Sequence, residues 1–291
     1  MPASGVTGPR LALAEAGSLR LRILSALVLA PLPIIAIWFG GPLLPLLTIA
    51  AAVVMAWEWG RLCAGGASGA GSGSGGRVLI GVVAAAVAAA ALSGIWPRGI
   101  WVGATLALTG AVLVWQIALR RRASAPLWLA AGSLWVALPC IILLWLVESG
   151  RASRGTLFWV FAVVWATDIG AYVVGRTLGG PQLAPRWSPR KTWAGLGGGV
   201  ICAALAGWAA AGVLGATPVL PVVLVSAGLA IIEQFGDLAE SVAKRRFGVK
   251  DASSLIPGHG GLLDRLDGLL AVIPAVALLT LFGGGSVLTW R

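Results

Sequence analysis

Residues 219–282 read VLPVVLVSAGLAIIEQFGDLAESVAKRRFGVKDASSLIPGHGGLLDRLDGLLAVIPAVALLTLF: an apolar run, a stretch dense in charge and glycine, and a second apolar run. The charged middle holds Glu233, Asp237, Glu240, Asp251, Asp264 and Asp267, six of the chain's ten acidic residues, together with its one histidine, His259. Lys244, Arg245, Arg246 and Lys250 lie among them. In a chain that is 58% hydrophobic and 11% charged, this concentration marks a wet segment held between two membrane helices.

The rest of the chain repeats the apolar pattern. Its mean hydropathy is +0.94 over 291 residues, far above that of an ordinary soluble domain. Apolar runs of about twenty residues recur, each long enough to cross about 30 Å of hydrocarbon as a helix. A β-barrel would instead alternate at period two. The expected fold class is all-α, a polytopic membrane protein with about nine transmembrane helices and a cytoplasmic N-terminus. Cys63, Cys140 and Cys202 are far apart and lack metal or disulfide spacing.

Residues 1–19 are rich in Gly, Ala and Ser and are expected to be a flexible cytoplasmic N-terminus. Residues 20–156 carry helices 1–5, with spans near Ile23–Phe39, Pro42–Trp57, Val78–Ile95, Ile100–Leu119 and Leu127–Val147. Glu58, Trp59 and Arg61 read as the wet, aromatic-anchored end of the second span. Residues 64–77 read as a flexible linker, and Trp96-Pro97-Arg98-Gly99 as a tight turn. Residues 157–291 form the catalytic region, helices 6–9, with spans near Leu157–Val174, Ala194–Leu214, Val219–Ile232 and Leu266–Phe282. Its two wet loops are 175–192 and 233–265.

The charge distribution orients these spans. With the N-terminus inside, seventeen of the 21 Lys and Arg residues fall on the cytoplasmic side; Arg98, Arg151, Arg154 and Arg291 fall outside. The positive-inside rule favours this arrangement. It also accounts for the net charge of +11 without nucleic acid, membrane lipid headgroups being the natural neighbours. Both wet loops then meet cytoplasmic reactants.

Continued as a helix, the eighth span puts Glu233, Asp237, Ser241 and Lys244 on one stripe, with Glu240 nearby. Acidic groups at this depth face a polar cavity or mark function. Asp264 and Asp267 sit three apart at the start of the ninth helix. Carboxylates from two separate places, set among cations, suit Mg²⁺, which takes oxygen ligands and substrate phosphates. A single histidine does not suit zinc. Pro257-Gly258-His259-Gly260-Gly261 offers backbone N–H groups to an anion, or is a plain tight turn. Ser188, Arg190, Lys191 and Thr192 cluster cations and hydroxyls fit for phosphate. Asp168, Tyr172 and Arg176 share a helix face leading from the membrane to that loop. The combined chemistry is phosphoryl or nucleotidyl transfer at a membrane surface.

The run S-V-A-K-R-R-F-G-V-K-D-A-S-S-L-I-P-G-H-G-G-L-L-D-R-L-D, Ser241 to Asp267, resembles the signature of the phosphatidate cytidylyltransferase (CDP-diacylglycerol synthase) family. GDLAES, DIGAYVVGR and SPRKT resemble the same family, and the likeness covers residues 157–282. It implies the reaction of CTP with phosphatidic acid to give CDP-diacylglycerol and pyrophosphate with Mg²⁺, and admits K⁺ beside it. It implies metal binding by Asp237 and Asp264, and phosphate binding by Lys191, Lys244, Arg245, Lys250 and Arg265. Asp251, His259 and Asp267 would shape or close the pocket. The chain departs from the family at Arg190-Lys191, where Lys-Lys is usual, at Ala194, where Glu is usual, and at Ala252, where a small hydroxyl residue is usual.

Two other readings stand beside this one. A CTP-dependent polyprenol-type kinase would use the same nucleotide but attack the γ-phosphorus. An ion or phosphate transporter would place polar residues at mid-membrane in several spans. The composition fits a GC-rich bacterium and hence an inner membrane, and the reading admits a homodimer.

Overall fold

The computed structural model describes residues 25, 27–65, 74–92, 98–148 and 153–290. The N-terminal segment 1–19, residues 66–73 of the expected linker, Trp96-Pro97 of the expected turn and residues 149–152 lie outside the described residues.

The described chain is built from α1 (Pro31–Phe39), α2 (Leu43–Cys63), α3 (Ser74–Ala91), α4 (Gly99–Arg120), α5 (Pro126–Glu148), α6 (Arg154–Leu178), a hairpin of β1 (Gln182–Ala184) and β2 (Ser188–Thr192), α7 (Trp193–Leu214), α8 (Val219–Arg246) and α9 (Leu263–Phe282). Seven of these helices, α2 and α4 to α9, are long and apolar enough to cross a membrane; the apolar helices α1 and α3 are shorter. The polytopic helical architecture is therefore present, with seven full-length spans among the described residues where about nine were expected.

Several boundaries differ from the sequence reading. Ser74 to Arg77, expected in the linker, are the first turn of α3. The loop expected over 175–192 is mostly ordered: α6 continues to Leu178, and β1 pairs antiparallel with β2. The largest change is at α8, which runs 28 residues to Arg246, so the loop expected from 233 begins only at Phe247. Leu, Ala, Glu, Lys and Arg dominate 238–246, and all are good helix formers whatever their polarity. The helix stops where Gly248 takes a φ of 70°. Val249 N–H then donates to Lys244 C=O at 3.0 Å and Gly248 N–H to Arg245 C=O at 3.2 Å, a Schellman closure.

Two large apolar clusters hold the bundle, with a third, smaller one around Ile37, Leu44 and Leu157. One of the large two joins Met55, Leu62, Leu79, Val83, Val114 and Val136 of α2 to α5, and takes in Ala243, Ala252, Leu263 and Leu270 from the far end of the chain. The other gathers Trp159, Val160, Val163, Leu229, Ile273 and Val276 around α6, α8 and α9. α7 packs between α6 and α8, and α9 lies against α8, α5 and α2. The α6–α7 approach depends on glycine: a Cβ on Gly170 would lie 2.7 Å from the Gly198 carbonyl oxygen. The C-terminal end of α8, the hairpin and the start of α9 meet at one place.

Candidate active site

The stripe expected on α8 is real, and each of its charges has a partner on another element. Lys191, from β2, puts its Nζ 2.7 Å from Asp237 Oδ2. Ser241 donates to the other oxygen of Asp237 at 3.5 Å. One turn on, Lys244 Nζ lies 3.1 Å from Glu240 Oε2 and 2.8 Å from Asp264 Oδ1, joining α8 to α9. Deeper along α8, Gln234 Nε2 donates to Glu233 Oε2 at 2.8 Å. The Glu233 carboxyl faces Asp168 of α6 within hydrogen-bonding reach, and Glu240 faces Asp267 in the same way.

Beside these pairs opens a cavity of about 310 Å³. β2 lines it with Ser188, Pro189 and Arg190, α8 with Ser241, Lys244 and Arg245, and the following loop with Lys250 and Asp251. Four of these eight residues are cationic and two are hydroxyl-bearing, the donor set that phosphate oxygens require. β2 divides its two cations: Arg190 lines the cavity, while its neighbour Lys191 is paired with Asp237. Arg245 Nε also donates to the Trp187 carbonyl at 3.2 Å, tying the hairpin tip to α8.

Of the two forms the sequence left open for the glycine-rich turn, the structure has the tight turn. His259 N–H donates to Ile256 C=O at 2.9 Å, with Pro257 and Gly258 between them and Gly258 at a φ of 78°. Its second central position needs glycine. The amides of residues 261–263, and that of Ala252 before the turn, are taken by carboxylates. Gly261 N–H donates to Asp264 Oδ2 at 2.8 Å, and Ala252 N–H to the same oxygen at 3.0 Å. Leu262 N–H donates to Glu58 Oε1 at 2.9 Å and Leu263 N–H to Glu58 Oε2 at 2.6 Å.

The remaining site residues from the sequence lie around this centre. Thr192 is the N-cap of α7, its hydroxyl accepting from Gly195 N–H at 3.0 Å. Arg265 turns its Nε and Nη2 to the His259 carbonyl at 3.0 and 2.9 Å. His259 Nδ1 lies 2.7 Å from Ser25 Oγ, and that hydroxyl also donates to the Pro257 carbonyl at 3.1 Å. A Cβ on Gly261 would stand 2.7 Å from Glu58 Oε1 and 3.0 Å from Asp264 Oδ2, so glycine lets the two carboxylates flank the turn.

Glu58 overturns the expected wet end of the second span. It is fully buried, and Trp59, only 4% exposed, donates its Nε1 to the Trp128 carbonyl at 2.8 Å. The one signal in the sequence was an acid set between two tryptophans at the end of an apolar run. Among the described residues, no group of three or more His, Cys, Asp or Glu side chains stands close enough to hold a metal ion by itself. A cation here would need substrate oxygens to complete its shell.

The sequence matches the cytidylyltransferase family over residues 20–282. It is 39% identical over 268 residues to a phosphatidate cytidylyltransferase of Brucella suis, covering 91% of this chain and 93% of that protein. A phosphatidate cytidylyltransferase of Pseudomonas aeruginosa is 36% identical over 275 residues, 90% of this chain and 96% of the relative. One of Bacillus subtilis is 41% identical over 132 residues, 43% of this chain and 48% of its own length.

Proposed function

The chain belongs to the cytidylyltransferase family, and from that premise we propose that it transfers the cytidylyl group of CTP to phosphatidic acid, giving CDP-diacylglycerol and pyrophosphate. The observation that carries this reading is the cavity where Arg190, Lys244, Arg245 and Lys250 converge beside two lysine–aspartate pairs. Four cations in one recess suit a nucleoside triphosphate. The chain's relatives share the activity by name over most of its length, and the kinase and transporter readings give way to it.

An oxygen of the lipid phosphate attacks the α-phosphorus of CTP. A new P–O bond forms there, the bond from the α-phosphorus to the bridging oxygen breaks, and pyrophosphate leaves. The cavity cations hold the triphosphate and take up the charge that develops on the departing group. Lys244 touches both the cavity and Asp264, so it couples the bound nucleotide to the start of α9. Catalysis is largely positioning and charge neutralisation.

Mg²⁺ fits the donor set. Asp237 and Asp264 present oxygens from two helices, and each already has an ammonium at 2.7–2.8 Å, where positive charge is required. The ion takes one or two carboxylates with phosphate oxygens and water, and when bound it would offset the charge of the phosphates. The reading admits K⁺ beside it.

The site faces the cytoplasm of a bacterial inner membrane in this reading, which the bias of Lys and Arg supports. The test is a product assay on purified protein in detergent with phosphatidic acid and CTP labelled at the α-phosphorus. Label in the lipid with pyrophosphate released is expected. Label left in soluble CDP, with phosphate moved from the γ position, would replace the reading with a kinase.

A further inference from the structure

Glu58 stands on α2, in the half of the chain that carries none of the cavity residues, yet its carboxylate ends inside the catalytic region. It is fully buried, and its three partners all donate to it. Ser253 hydroxyl donates to Oε1 at 2.6 Å, Leu262 N–H to the same oxygen at 2.9 Å, and Leu263 N–H to Oε2 at 2.6 Å. Two of these donors are the amides at the start of α9, which a helix leaves without internal partners. The third belongs to the loop that lines the cavity. Asp264 lies one residue beyond Leu263, and Gly261, the residue between the two carboxylates, has no room for a side chain.

We propose that Glu58 is a positioning residue for cytidylyl transfer. From α2 it fixes the first turn of α9 and the 252–262 loop, and so sets the place of Asp264 opposite Lys244. The proposal rests on the reading of Asp264 and Lys244 as part of the transfer site. It assigns the N-terminal helices a part in the chemistry beyond membrane anchorage. Glutamine cannot replace the carboxylate, since its amide nitrogen would confront at least one backbone N–H.

The test compares wild type, Glu58→Gln and Ser253→Ala, purified in detergent. Three quantities are measured: kcat, KM for CTP, and amide hydrogen exchange over 252–264. Glu58→Gln is expected to insert and melt cooperatively, to exchange the Leu262 and Leu263 amides faster, and to lose about 10- to 100-fold in kcat. Its KM for CTP should stay within about threefold, because the cavity cations stand on β2, α8 and the loop's first residues. Ser253→Ala, which removes one donor and spares the amides of α9, should shift the same quantities less. Unchanged exchange would overturn the proposal, as would a kcat that returns to wild type when corrected for the folded fraction. Should Glu58→Gln fail to fold, Ser253→Ala decides: wild-type exchange and kcat would sink the idea. Should wild type transfer no cytidylyl group, the functional reading fails instead, and exchange over 252–264 still tests whether Glu58 holds α9.

Discussion

Lys244 and Asp264, twenty residues apart in sequence, meet with Nζ 2.8 Å from Oδ1 and join the last turn of α8 to the first of α9. Asp264 is held on its other side by the amides of Ala252 and Gly261. The pair is therefore a junction of three segments, and a change at Lys244, which also lines the cavity, should be felt in both binding and turnover.

Lys244→Ala removes a cavity cation and leaves Glu240 and Asp264 facing one another without it. A charge-assisted hydrogen bond is worth about 1.5–3 kcal/mol, so kcat/KM for CTP should fall by about 10- to 100-fold. Steady-state kinetics against CTP checks this. An unchanged CTP dependence would remove Lys244 from nucleotide binding.

Asp237→Asn and Asp264→Asn should each lower turnover to near background while leaving membrane insertion intact. Their stabilities should differ. Asp264 accepts backbone N–H bonds that order the loop, whereas the contacts of Asp237 are with side chains, so only Asp264→Asn should melt several degrees lower, as about 1–2 kcal/mol implies for a chain of this size. Chelation of divalent cations from wild type should abolish turnover, with recovery on adding Mg²⁺.

Neighbours on β2 should separate kinetically. Arg190 lines the cavity, so Arg190→Ala should raise KM for CTP. Lys191 pairs with Asp237, so Lys191→Ala should lower kcat with little change in that KM. Equal effects of both substitutions on KM would contradict this division of roles.

Gly261→Ala places a methyl group against the carboxylates of Glu58 and Asp264. Overpacking of this kind costs about 1–3 kcal/mol, and thermal unfolding should report it. A variant with wild-type melting would mean that the turn can yield.

Much of this was legible beforehand. Apolar blocks announce a helical membrane protein, and the stripe Glu233, Asp237, Ser241, Lys244 could be read because helical spacing puts such residues on one face. The extent of α8 could not be read from polarity. Charge at Glu233 resembles the end of a span, but helix formation follows backbone and side-chain entropy, which the good helix formers over 238–246 satisfy in water or lipid. Gly248 was the better boundary signal. The turn at Pro257–Gly261 could be read as an anion cradle or as a plain tight turn; it is a tight turn, and its downstream amides serve Asp264 and Glu58. Spacing within a loop does not reveal that a carboxylate 204 residues away will claim its donors. Glu58 stayed hidden for that reason: its partners are long-range, and a lone acid beside tryptophans looks interfacial.

The 28 residues of α8 measure about 42 Å end to end, against about 30 Å of hydrocarbon, so a helix standing near the bilayer normal carries its polar end into the headgroup layer. That end carries the cavity. A water-soluble nucleotide can descend onto it from solution, while a lipid reaches the same depth by sliding in the plane of the bilayer. One reactant is thus counted per volume and the other per area. The rate should follow the mole fraction of phosphatidate in a mixed micelle, and dilution with inert detergent at constant total lipid should slow the reaction.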